Sequence, residues 1–162
     1  MPVIAVSPAG PADVLAMAAL LEEMDRYYGA TGTEPLGERV RQINEAVFAS
    51  PPAAHALLAW DGTQIVGIAA YSFLWPAVGL TRSLYLKELY VGEEYRRRSV
   101  GKLLMQTLFE VAGKRGCSRV EWTTDRDNPS AQAFYEMLGL PAHPAKVFYR
   151  VEDTGEGFKL PG

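Results

Sequence analysis

Residues 83–101 constrain this chain more than any other stretch. They read Ser-Leu-Tyr-Leu-Lys-Glu-Leu-Tyr-Val-Gly-Glu-Glu-Tyr-Arg-Arg-Arg-Ser-Val-Gly. The first half is rich in aromatic and branched residues and predicts a strand ending at Val91. Gly92 breaks it. Arg96, Arg97 and Arg98 form a basic turn that runs directly into an apolar-periodic segment, which predicts a helix. A helix start leaves its first backbone N–H groups without partners, and its dipole is positive there. Strand, short basic turn and helix start together form a ready anion site. Arg96, Arg97, Arg98 and Lys102 crowd the positive end of that dipole, a penalty of roughly 0.3–1 kcal/mol each when exposed. An anion would relieve it. A bare arginine run is more often a solvated turn, and only the flanking strand and helix make a site of this one.

With 162 residues, the chain is long enough for one domain with a real core. Its net charge of −3 argues against a general attraction to nucleic acid. The single Cys117 cannot form an internal disulfide, which fits a reducing cytoplasm. No apolar run approaches the ~18 residues of a membrane span, and no signal peptide opens the chain. One cysteine and two histidines, His55 and His143, offer no metal constellation.

Residues 3–6 read as a first strand. A helix follows over residues 13–28, with Val14, Met17, Ala18 and Leu21 at helical spacing and Glu22, Glu23 and Asp25 on or near the other face. A second helix is expected over residues 36–49, with Val40, Ile43 and Val47 on one face, ended by Pro51-Pro52. Two strands, residues 56–60 and 64–72, flank the tight-turn dipeptide Asp61-Gly62. The helix after the basic turn, residues 99–114, buries Val100, Leu103, Leu104, Leu108 and Val111. A strand at residues 119–124 precedes a helix opened by Asn128 as N-cap and Pro129 at its first position. That helix carries Ala131, Phe134, Tyr135 and Leu138 on its apolar face. A last strand is expected at residues 146–151. The pattern is α/β with one layer of sheet and no domain linker.

Two motifs now stand in order. The first is Arg96-Arg-Arg-Ser-Val-Gly101, and the second is Asn128-Pro-Ser-Ala-Gln-Ala-Phe-Tyr135 followed by Gly139. Together they resemble the GNAT superfamily of N-acetyltransferases, whose signatures are Gln/Arg-x-x-Gly-x-Gly/Ala and Asn-x-x-(Ala/Ser)-x-x-Phe-Tyr with a later Gly. The resemblance covers residues 56–151. It implies a GNAT fold over residues 1–162: a mixed, mostly antiparallel sheet of about six to seven strands, splayed at the acetyl-CoA site, with about four helices. It implies acetyl-CoA as cosubstrate and no metal. The backbone of Leu89, Tyr90 and Val91 would pair with the pantetheine arm. Arg96, Arg97, Arg98, Ser99, Val100, Gly101 and Lys102 would surround the pyrophosphate, and Asn128 and Tyr135 would also contact the cofactor. Ser99 stands where the family has Gly; its hydroxyl is expected to cap the helix or meet a phosphate oxygen. A P-loop is excluded, because Leu103 follows Lys102 where Ser or Thr is needed.

Tyr135 is the candidate general acid for the leaving CoA thiolate, since a tyrosine with a pKa near 10 is protonated at neutral pH. Periodicity alone makes it a buried helix aromatic. Residues 84–91 and the Cys-Ser-Arg-Val-Glu-Trp run look most like the diamine and thialysine branch. That branch often has two adjacent acids where this chain has Lys87 and Glu88. Glu88 is the candidate base, with a structural ion pair as its other reading. The resemblance implies direct transfer from acetyl-CoA to a primary amine of a small molecule, such as a polyamine or an amino-acid-like amine. The alternatives are a non-catalytic acyl-CoA-binding domain and a protein or peptide amine acceptor. A cytoplasmic homodimer that binds neither nucleic acid nor membrane is expected, with Phe73, Leu74, Trp75 and Val78 as an apolar loop open to a partner.

Overall fold

A computed structural model describes residues 3–162. The chain forms two compact units, one ending at Thr123 and the other starting at Thr124. The larger unit holds strands β1 (Ile4–Pro8), β2 (His55–Asp61), β3 (Gln64–Leu74), β4 (Arg82–Val91) and β5 (Cys117–Trp122). It also holds helices α1 (Val14–Tyr27), α2 (Leu36–Val47) and α3 (Val100–Lys114). The strands lie in sequence order in one sheet. Neighbours are antiparallel up to β4, and β4 pairs β5 in parallel. A parallel pair needs a crossover connection, and α3 supplies it.

Both faces of the sheet are covered, so β2 and β3 read as nearly continuous apolar runs. Adjacent residues point to opposite faces. Ala56, Leu58, Ile68 and Tyr90 pack with Met17, Ala18, Leu20, Met24 and Ile43 of α1 and α2. Gly67, next to Ile68, faces α3: a Cβ there would lie 3.2 Å from Leu104 Cδ1 and 3.3 Å from Val100 Cγ1. On the α3 side Val100, Leu104, Met105 and Leu108 are almost fully buried. Burying each such side chain contributes roughly 1.5–3 kcal/mol.

One buried charge joins α1 to α2. Arg39 donates to the Ala18 carbonyl through Nε and Nη2, and through Nη1 to Asp25 and Glu34. The helical periodicity put the inner face of α2 on Val40, Ile43 and Val47; Arg39 is buried beside them because it finds these partners.

The smaller unit holds α4 (Pro129–Met137) and the C-terminal segment. The strand expected at residues 146–151 does not form. Val147, Phe148, Tyr149 and Val151 are all exposed there. A short run rich in branched and aromatic residues makes a strand only where a neighbouring strand supplies cross-strand pairs. The sheet therefore has five strands rather than six to seven. Among the described residues no helix is long and apolar enough to cross a membrane.

Candidate active site

The end of β4 is built differently from its start. Its ladder with β5 runs from Arg82↔Cys117 to Leu86↔Trp122 and stops. Its ladder with β3 continues to Val91↔Gly67. Between Glu88↔Ala70 and Leu86↔Tyr71 the register shifts by one, and Lys87 is the extra residue of a β-bulge. Leu89, Tyr90 and Val91 therefore run along β3 after the β5 ladder has ended. The β5 ladder thus ends in the stretch where the resemblance implies a splay. Lys87 is exposed and Glu88 half-buried.

After Gly92, a short 3₁₀ turn (Glu93–Tyr95) leads into the basic residues. Arg97 and Ser99 both take a φ of 63°, in the left-handed region, and Arg98 between them does not. Such alternation turns successive amides toward one concavity that suits an anion. Ser99 is the N-cap of α3, but its side chain makes no capping bond. Of the two roles expected for the hydroxyl, the helix cap is not made, and the left-handed backbone is the conformation glycine would take here. Leu103 N–H closes the first helical bond on the Ser99 carbonyl at 3.0 Å. Helix geometry leaves the amides of Val100, Gly101 and Lys102 without carbonyl partners inside the helix. Arg97, Arg98, Ser99 and Lys102 are exposed around this cradle, and Gly101 is partly exposed.

Arg96 is placed otherwise. Its Nε donates to the Val91 carbonyl at 3.1 Å, and its guanidinium carbon lies 4.1 Å from the Tyr27 ring centroid. Tyr90 Oη donates to Glu23 Oε2 at 2.6 Å. Burial first, then the bond to Glu23, pushes the Tyr90 hydroxyl well above the usual tyrosine range. Tyr95 Oη donates to Asp61 Oδ2 at 2.7 Å, which also raises its pKa. A cleft of about 490 Å³ opens here, with Glu23, Tyr27, Tyr90 and Tyr95 in its wall. Sequence reading put Glu23 on the polar face of the first helix and gave neither it nor Tyr27 a role in the site. Their spacing of four on α1 was the available signal, and only the fold shows that β4 passes beneath them.

In the smaller unit, Asn128 Oδ1 accepts the Ala131 N–H at 3.1 Å, the N-cap expected of it. Gln132 Nε2 donates to the carbonyls of Asp125 and Arg126, which closes the turn before α4. Tyr135 is the buried residue of α4, and its ring meets that of Phe134 edge-on at 5.0 Å. Gly139, at a φ of 78°, lets the chain leave the helix.

The larger unit thus has a mixed sheet whose β4–β5 ladder stops short, followed by a turn with two left-handed residues at the start of α3. The sequence model of the acetyltransferase (GNAT) family matches residues 17–140, and the chain belongs to that family. It is 29% identical over 132 residues to a thialysine N-epsilon-acetyltransferase of Bos taurus, covering 74% of each chain. It is 32% identical over 75 residues to an L-ornithine N5-acetyltransferase of Arabidopsis thaliana, covering 46% of this chain and 33% of that one. Among solved structures, an integron cassette protein from the mobile metagenome of V. cholerae superposes with a TM-score of 0.86 at 26% identity over 94% of each chain. An aminoglycoside N-acetyltransferase solved with CoA superposes with a TM-score of 0.76 at 16% identity, over 94% of this chain and 97% of that one, a likeness of fold alone.

Proposed function

We propose that this chain transfers an acetyl group from acetyl-CoA to a primary amine of a small, amino-acid-like or polyamine substrate. The observation that carries this reading is the cradle at residues 97–102 placed directly after the part of β4 that β5 does not accompany. The backbone of Leu89, Tyr90 and Val91 takes the pantetheine arm, and the amides around Ser99, Val100 and Gly101 take the pyrophosphate. The named activities of the thialysine and ornithine relatives support an amine on an amino-acid side chain as acceptor.

The chemistry is direct. The neutral amine nitrogen attacks the thioester carbonyl, a C–N bond forms, and the C–S bond breaks. The sulfur leaves as a thiolate and takes a proton from Tyr135 Oη. The proton lost by the amine goes to Glu88 or to water. Asn128 caps α4 and contacts the cofactor. Residues 1–162 act as one acetyltransferase domain in the cytoplasm. Two copies associate through Leu74, Trp75 and Val78, which are exposed at and after the end of β3; Phe73, expected to join them, is half-buried in β3 against His55 and Tyr71.

The test is release of free thiol from acetyl-CoA across a panel holding thialysine, ornithine, lysine and polyamines, with calorimetry for acetyl-CoA alone. Turnover with at least one amine is expected. Acetyl-CoA binding without turnover on any amine would make this a binding protein, and no binding at millimolar acetyl-CoA would overturn the reading entirely.

A further inference from the structure

Arg96 joins three parts of the larger unit. Its Nε holds the Val91 carbonyl at 3.1 Å, at the end of β4. Its guanidinium carbon lies 4.1 Å from the ring centroid of Tyr27, in the last turn of α1, and 5.6 Å from that of Tyr90. The two rings are 6.1 Å apart. Tyr90 in turn is tied to Glu23, one helical turn before Tyr27, by the 2.6 Å bond from its hydroxyl. The residue after Arg96 is Arg97, the first left-handed position of the amide cradle, and Ser99 is the second. Non-glycine residues keep such conformations only when their surroundings over-determine them.

We propose that Arg96 is a positioning residue, a latch that fixes the phosphate-cradling turn against the end of α1 before acetyl-CoA arrives. This rests on the reading that residues 97–102 hold the cofactor's pyrophosphate. A guanidinium can donate in its plane and stack on a ring face at once, whereas a lysine ammonium is a point charge and cannot do both. With the turn held in place, acetyl-CoA meets amides already aimed, and binding is spared the loss of loop freedom. The same latch makes the end of α1 and the cofactor turn one mechanical piece. A change at Tyr27, which belongs to α1, must then be felt at the cradle.

The test compares the parent with Arg96→Gln, Arg96→Lys, Tyr27→Leu and the Arg96→Gln/Tyr27→Leu double variant. Tyr27 is half-exposed, so its replacement leaves the core intact. In the ligand-free protein, amide hydrogen exchange at residues 97–102 should quicken about fivefold or more in each single variant. The acetyl-CoA Kd should rise about tenfold in Arg96→Gln and in Tyr27→Leu, with no further rise in the double variant, because both remove one shared coupling. Arg96→Lys should not restore it, and kcat of Tyr27→Leu at saturating acetyl-CoA should stay within about twofold. Unchanged exchange in Arg96→Gln would overturn the latch. So would parent-like acetyl-CoA affinity in Tyr27→Leu, since that result makes Arg96 a direct phosphate ligand. If the parent binds no acetyl-CoA, the proposed function fails, and the exchange comparison by itself upholds or overturns the latch.

Discussion

Ser99 holds a φ of 63° with no capping bond from its hydroxyl. A left-handed backbone costs an L-residue roughly 1–2 kcal/mol. Ser99→Gly removes that strain and adds freedom to the unfolded chain, worth about 0.4–1 kcal/mol in the other direction. The expected result is equal or higher thermal stability and an equal or tighter acetyl-CoA Kd by calorimetry. A clear loss of affinity would mean that the hydroxyl meets a phosphate oxygen. Tyr135 offers the sharper test of chemistry. Tyr135→Phe keeps the ring in its buried place and removes only the donor. If the hydroxyl protonates the thiolate, turnover falls by about 10²–10⁴, with a tenfold loss as the least consistent result. Acetyl-CoA affinity and melting temperature should barely move. Steady-state kinetics within twofold of the parent, with chemistry shown to limit the rate, would make Tyr135 a packing residue.

At the scale of elements, the site depends on how closely α3 lies on the sheet. Gly67 permits that approach. An added Cβ would sit 3.2 Å from the Tyr90 carbonyl oxygen as well as against Leu104 and Val100. The side chains can give way slightly, but the backbone oxygen cannot. Gly67→Ala should destabilise the protein by about 1–3 kcal/mol, the usual range for overpacking. Val100 opens α3, so displacing it moves the cradle, and acetyl-CoA affinity should fall with stability. Melts and calorimetry on the same variant check both. A stable variant with weak acetyl-CoA binding would place the effect in the turn alone, and a variant indistinguishable from the parent would remove the close-approach argument. The bulge at Lys87 is a second device of this scale. It changes the pairing of β4 just where the β5 ladder has ended.

For the whole molecule, stability should carry a signature from His55. Burial first, then the nearby Arg115 and Arg82, holds His55 below its ordinary value of 6.5. A base with a depressed folded pKa binds fewer protons folded than unfolded. Stability from this source is therefore level above 6.5 and declines as pH falls through the window just below it. His55→Gln should flatten the fall in melting temperature between about pH 7 and about pH 5 relative to the parent. Parallel curves would show that His55 does not titrate with folding. Assembly is the other property of this scale. Leu74 at the end of β3, and Trp75, Val78 and Leu80 in the connection to β4, are 48%, 64%, 58% and 72% exposed. Light scattering at micromolar protein should give a dimer mass that Trp75→Glu lowers to that of a monomer. A monomer mass for the parent would refute the association.

Local chemistry by itself determined most of the elements. Period-two and period-3.6 patterns marked every strand and helix of the larger unit to within a few residues, because side-chain direction follows backbone geometry directly. Asn128 and Pro129 announced the start of α4, since a cap acts within one turn. The basic turn before Val100 marked the start of α3 and suggested an anion site there, since a helix dipole needs no distant partner. What lay beyond the sequence involved partners far along the chain. Ser99 read as a serine that would cap α3 or meet a phosphate, and the turn's path from β4 into α3 sets it left-handed without a capping bond. Residues 146–151 are rich in branched and aromatic residues like a strand, but composition does not supply an edge to pair with. Glu23 read as part of a polar face, and it became the acceptor for Tyr90, 67 residues away, only once α1 lay over β4. Arg96 read as one more cation of the cradle, and its place between Tyr27 and Val91 was decided by the same packing. Patterns of a few residues are written in the chain, and contacts between distant elements exist only after the sheet and its helices have closed on one another.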